Sequence, residues 1–361
     1  MNSVHERYTV SPYLIFFMVQ PMLFGLEFLS MSIKPIQLAG QDAWFPLFIC
    51  AFIAHIVMYM IYQILNQNQA DLIQIHQQFF GKWVGGGLNM IFITYFMLVS
   101  IYQIRLFIEI IQVWIFPDLE TWPVALVLLA LTYYMVSGGF RVIVGICMLS
   151  FLNQIFFLSM FFTFPYLHFN NLTPIMDHSL MDFIKATKEL SFSYRGMEFL
   201  LFCYTFIKAP QKSQKWSQWA IISMTILYLV EIFFSLLLFK PEQLPTEIWP
   251  ALSKYKFVQF PFIERFEFIG SSAMILRIFP IVCLSTWSSG RIMKSMFSVK
   301  QRTMLPFFLV LMFIAVCCVP NRKSIEGIQT WISMTGFCIL YVYIPFLYIL
   351  NAIKMKVRRT A

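Results

Sequence analysis

The sequence predicts an all-α integral membrane protein of ten transmembrane helices in a 5+5 inverted repeat, with the first and sixth helices broken. Three observations predict it. Apolar residues make up 59% of the 361-residue chain and charged residues 12%, whereas a soluble domain is roughly 45–50% apolar. Runs of about 20 apolar residues, enough to cross a ~30 Å hydrocarbon core, recur along the whole chain and leave no room for a separate soluble domain. A pattern of Gly, any residue, Glu, Phe and Leu stands inside two of these runs, at Gly25 and again at Gly196.

The ten spans run Tyr13–Ile33, Trp44–Leu65, Val84–Phe116, Trp122–Val136, Phe140–Phe164, Phe192–Ile207, Trp219–Phe239, Phe268–Trp287, Met304–Val319 and Ile328–Ile353. One membrane domain over 1–361 is expected, with repeat one over about 11–165 and repeat two over about 191–355. The first ten residues are polar, and the first run is too long for a signal-peptide core and lacks a small-x-small exit, so the first span is expected to stay. The third run exceeds the bilayer thickness and is expected to tilt. Trp44, Trp83, Trp114, Trp122 and Trp219 mark span ends, where an amphipathic ring suits the headgroup layer.

Lysines and arginines on alternate connections divide 14 to 9 in favour of the side that carries the N-terminus. A multi-pass protein of the cell membrane with both termini cytoplasmic is therefore expected. Two outer loops, Asn170–Ser191 and Lys240–Glu267, carry amphipathic stretches such as MDFIKATKEL and are expected to form short surface helices. On the inner side ADLIQIHQQFFGKW has Leu72, Ile75, Phe79 and Phe80 near helical spacing, which fits an interfacial helix or a helix packed onto the bundle.

The formal net charge of +9 lies between spans and forms no basic stripe, so nucleic acid is not an expected partner. All seven cysteines fall in or beside apolar runs without a CxxC pair and read as buried thiols. The five histidines have no ligand spacing, so no metal or other cofactor is expected. No phosphate loop, nucleophile motif or catalytic carboxylate pair stands in a soluble segment, and an enzyme is not expected.

Pro21 and Gly25 in VQPMLFGLEF and Gly196 in SFSYRGMEFLLF free backbone groups that lipid cannot satisfy. Interrupted segments at matching places in two halves point to a midplane site between discontinuous helices. A small zwitterion such as an amino acid suits such a site. A half-helix N-terminus, with roughly half a positive charge, receives its carboxylate, while freed carbonyls and a glutamate receive its ammonium. The competing reading is that both glycines only allow close helix packing and that each glutamate is protonated or paired. The candidate ligand-binding residues are Gly25, Leu26, Glu27, Tyr102, Tyr194, Gly196 and Glu198.

Arg105, Glu109, Arg195, Glu231 and Arg277 are the other charges inside spans, where each unpaired charge costs several kcal/mol on most scales. Arg105 and Glu109 stand i, i+4 and are expected to pair along one helix face, as a structural pair or as part of a gate or proton relay.

With these features in order, the chain resembles the spore germination receptor B-subunit family, the endospore germination permeases of the amino acid/polyamine/organocation transporter superfamily. The resemblance covers nearly the whole chain. It rests on FPFIERFEFIGSSAMILRIFP (Phe260–Pro280), IRLFIEIIQVWIFPDLETWP (Ile104–Pro123), FFGKWVG (Phe79–Gly85) and the two breaks. It implies the amino acid permease, LeuT-like fold and a membrane subunit of a nutrient germinant receptor. Such a subunit works with receptor A and C subunits in the spore inner membrane, binds a small nutrient, usually an amino acid, and triggers germination. An ion-coupled amino acid transporter is the alternative, since both need the same broken-helix pocket.

Overall fold

Apolar runs flanked by aromatic and basic residues fold as helices because only a helix satisfies its own backbone in lipid. The computed structural model describes residues 6–174, 176–240, 243–258, 264–297 and 299–360; among them the chain is helical, with one isolated bridge between Val10 and Ile207. The helices are α1 (Leu14–Leu23), α2 (Ile33–Ala39), α3 (Trp44–Asn68), α4 (Leu72–Trp114), α5 (Thr121–Ser137), α6 (Phe140–Phe151), α7 (Leu180–Ser191), α8 (Leu200–Cys203) and α9 (Gln214–Leu238). They continue with α10 (Pro250–Ser253), α11 (Phe266–Ala273), α12 (Ile275–Phe297), α13 (Gln301–Cys317), α14 (Arg322–Cys338) and α15 (Ile344–Thr360).

Among the described residues, six stretches are long and apolar enough to cross a membrane: Trp44–Asn68, Leu72–Trp114, Phe140–Tyr166, Pro210–Leu238, Phe266–Phe297 and Arg322–Val357. A seventh candidate is the pair Leu14–Leu23 and Leu26–Asp42, bent by 47°. Three shorter apolar helices, Thr121–Ser137, Met197–Phe206 and Gln301–Cys317, complete the set. Phe52, Val127, Phe161 and Val310 stand exposed on these helices, as side chains that face lipid would. The protein is a multi-pass membrane protein.

The core gathers around the interrupted segments. The α12 helix packs along α4, and α1 lies against α6, α9 and α12. On the face that carries the N-terminus, Val10 N–H donates to Phe206 O and Lys208 N–H to Val10 O, each at 2.8 Å. The Lys208 ammonium adds a 2.7 Å ion pair with Glu6. Nearby, Asp71 and Arg291 form an ion pair that ties the start of α4 to α12, and Thr205 accepts from the same guanidinium at 2.9 Å.

Several expectations change here. The first part of α4, up to Phe80, packs onto the bundle, with Leu72, Ile73, Ile75 and His76 buried, and joins the rest of the helix across Gly81 at φ +74°. Its amphipathic pattern arises because one face meets protein. In the first of the two long loops, α7 has the expected surface character and a reciprocal Ser179–Asp182 capping box. The Ser179 hydroxyl donates to the Asp182 carboxylate and holds it below the usual carboxylate range. The second loop instead tucks inward, burying Trp249, Leu252 and Lys254. Of the Phe260–Pro280 run, residues 260–263 lie outside the described residues.

Arg105 and Glu109 make separate partnerships. Arg105 donates from Nε to Val319 O at 2.9 Å and from Nη1 to Gln112, while Glu109 takes Arg322 at 3.0 Å. A backbone carbonyl in the connection after α13 reaches Arg105, and a guanidinium on α14 reaches Glu109, better than the i, i+4 neighbour does. Cys50, Cys147, Cys203 and Cys283 are buried as expected, but Cys317, Cys318 and Cys338 are exposed, because apolar segments of this fold face outward as well as inward.

Candidate ligand site between two helix breaks

Pro21, which has no N–H to give to the preceding turn, stands in the last turn of α1, just before the first break. The α1 helix ends at Leu23, Gly25 is extended at φ −68° and ψ 179°, and a 3-10 turn takes over at Leu26–Ser30. The freed Leu26 N–H donates to Gln103 Oε1 at 3.3 Å, and Gln103 Nε2 donates to Glu27 Oε2 at 2.9 Å. A Cβ on Gly25 would collide with the Glu27 carboxylate and sit 2.8 Å from Gln103 Nε2. Glycine here makes room for the polar cluster.

The second break lies at Arg195 and Gly196. Gly196 has φ +111°, a conformation that L side chains rarely adopt, and a Cβ there would stand 2.5 Å from Met22 O. The Gly196 N–H donates to Glu198 Oε2 and the Tyr95 hydroxyl to Glu198 Oε1, both at 2.7 Å. This accounts for the acid two residues after the glycine: its carboxylate caps the freed amide.

The breaks are joined by side chains. Arg195 Nη2 reaches Glu27 Oε1 at 3.3 Å, while its Nε donates to Phe192 O at 2.7 Å. The Tyr228 hydroxyl lies 2.5 Å from Leu23 O and 2.7 Å from Ser193 O, one freed carbonyl from each break. Gly336 on α14 leaves space for this cluster, since a Cβ there would stand 2.7 Å from Arg195 Cδ and 2.9 Å from Tyr95 Oη.

Between the breaks lies a central cavity in which a water centre can explore about 40 Å³, lined by Gly25, Glu27, Gly196 and Glu198 together with Tyr95, Gln103 and Tyr228. A vestibule of about 590 Å³ by the same measure adjoins it, lined by Lys34, Lys188, Glu247, Arg322 and Glu326 among others. Glu27, Phe192, Ser193 and Arg195 line both spaces. Chemically, the arrangement presents a carboxylate, a guanidinium and backbone groups of opposite polarity at one junction.

Four of the seven candidate residues thus line the central cavity, and Leu26, Tyr102 and Tyr194 are buried beside it without lining it. The Tyr194 hydroxyl is paired with Thr225 Oγ1 at 2.7 Å. Sequence reading omitted Tyr95, Gln103, Arg195 and Tyr228 from the candidate set. Arg195 carried a usable signal, a charge inside an apolar run beside a break; the two tyrosines are among 16 and carried none.

Fold and site together define a multi-pass membrane protein with a charged cavity between two broken spans. Residues 9–325 match the family described as Spore germination protein. Spore germination protein GerQB of Bacillus cereus is 37% identical over 99% of this chain and 100% of its own length. Spore germination protein YndE of Bacillus subtilis is 20% identical over 80% of this chain and 81% of its own length, and spore germination protein A2 of the same species 22% over 75% and 76%. The chain belongs to the spore germination protein family.

Proposed function

We propose that this chain is the membrane subunit of a nutrient germinant receptor that takes a small ligand of the amino acid class between its two broken spans and triggers spore germination. Family membership supports a receptor-type subunit. The observation that carries the ligand reading is the meeting of both breaks at one cavity holding Glu27, Arg195 and Glu198. Charges at membrane depth are costly even when paired, as these are with one another, Tyr95, Gln103 and backbone groups, and such residues characteristically mark ligand or ion sites. Ten crossings as two inverted sets of five, over about 11–165 and 191–355, fit the six long stretches, the bent pair and the three shorter helices.

In this reading the protein sits in the spore inner membrane with both termini cytoplasmic and the vestibule facing outward, in complex with receptor A and C subunits. Closure of the N-terminal face by the Val10–Ile207 bridge and the Asp71–Arg291 pair supports an outward-facing state. Spores lacking this chain, complemented with it and exposed to each of the twenty protein amino acids, should germinate in a dose-dependent way, and only with the A and C subunits present. Germination by this chain alone, or no response to any amino acid, contradicts the proposal. Steady uptake of labelled amino acid into vesicles that hold only this chain favours the ion-coupled transporter instead.

A further inference from the structure

We infer that the Glu27–Arg195 ion pair is a ligand surrogate: an entering zwitterion splits it, giving its carboxylate to Arg195 and its ammonium to Glu27. This rests on the reading of the site proposed above and names the ligand chemistry that the site selects. Glu27 and Arg195 line both the vestibule and the central cavity, so their contact is part of the floor between the two spaces. The space beneath is small, about 40 Å³ for water centres, so a ligand that enters it meets this pair at close range.

Each partner also has a second anchor that would survive the split. Glu27 keeps Gln103 on its other oxygen, and Arg195 keeps the Phe192 carbonyl on Nε. The two charges belong to different breaks, so a ligand held between them bridges the two broken spans. A ligand with a single charge satisfies one partner and leaves the other without a counter-charge in a largely enclosed place, with side-chain exposures of 9% for Arg195 and 20% for Glu27. A zwitterion satisfies both. The vestibule walls mix Lys34, Lys188 and Arg322 with Glu189, Glu247 and Glu326, so they select neither sign in advance.

The test is a binding series on the purified full-length protein. The twenty protein amino acids are screened first, and the best binder is compared with its amide, which carries only the ammonium, and with its deaminated acid, which carries only the carboxylate. In wild-type protein each one-charge analogue should bind at least about tenfold more weakly than the zwitterion, the scale of one lost charge-assisted contact. Glu27→Gln frees Arg195 from its competitor, so the preference for zwitterion over deaminated acid should fall at least about tenfold. Arg195→Gln should lower the preference over the amide in the same way.

No binding of any amino acid to wild-type protein defeats the reading of the site and this inference with it. Binding of an amino acid with unchanged preferences in both variants defeats the inference alone. If neither variant runs as a single chromatographic species, the wild-type series decides, and analogues that match the zwitterion overturn the proposal.

Discussion

Gly196 in the second break lies against the main chain of Met22 in the first, so closely that a Cβ on Gly196 would stand 2.5 Å from the Met22 carbonyl oxygen. The two interrupted spans therefore touch through backbone, and a change at one is felt at the other.

Gly196→Ala should be disruptive for two reasons, the φ of +111° and the contact with Met22. The backbone term alone is about 1–2 kcal/mol, and Met22 O is a rigid neighbour. The expected outcome is a clear fall in thermal midpoint of the detergent-solubilised protein. Gly327→Ala in α14 is the control, since a Cβ there meets nothing within 4 Å and alanine suits a helix interior. It should be neutral or mildly stabilising, and equal losses in both variants would contradict the backbone contact.

Tyr228→Phe removes the hydroxyl shared between Leu23 O and Ser193 O while keeping the ring against Phe28 and Tyr194. Leaving buried acceptors without that donor costs about 1–3 kcal/mol. Thermal unfolding should show this loss, and an unchanged midpoint would mean that the hydroxyl does not hold the breaks.

Lys254 reaches in from the loop between α9 and α11 to Glu231, with Nζ 2.6 Å from Oε1 and both side chains fully buried, and Ser235 joins the cluster. Lys254→Met should destabilise by roughly 3–5 kcal/mol because it strands a buried carboxylate, and the added Glu231→Leu should recover much of that loss. A double-mutant cycle on membrane abundance or unfolding measures it. Purely additive losses would contradict a direct pair.

Orientation is testable with single cysteines in a background where Cys317, Cys318 and Cys338, the exposed thiols, are serine. A cysteine at Lys212 should react with a membrane-impermeant maleimide only after permeabilisation, and one at Lys185 in intact cells. The reverse pattern would invert the topology.

The breaks were legible in the sequence because proline, glycine and glutamate are costly in an apolar run and stand out against it. Their partners were less so. Gln103 and Arg195 are polar residues within spans and so were visible in principle, but Tyr95 and Tyr228 acquire their roles only when α4 and α9 are brought beside the breaks. Lys254 read as an ordinary loop charge, since nothing local announces that α10 carries it into the bundle. The Arg105–Glu109 pairing failed for a related reason: helix spacing names a possible neighbour, and Arg322 on α14 was the nearer one in space.

The central claim is that ligand is held between the two breaks, and Glu198→Gln tests it most directly. Glu198 accepts from both Tyr95 and Gly196, and a carboxamide has one acceptor where the carboxylate has two. The measurement is the amino acid concentration giving half-maximal germination in spores carrying the variant, alongside its abundance in the inner membrane. The account predicts a rise of about tenfold or more at near-normal abundance. An unchanged concentration at normal abundance would contradict it and leave Gly25 and Gly196 as close-packing positions only.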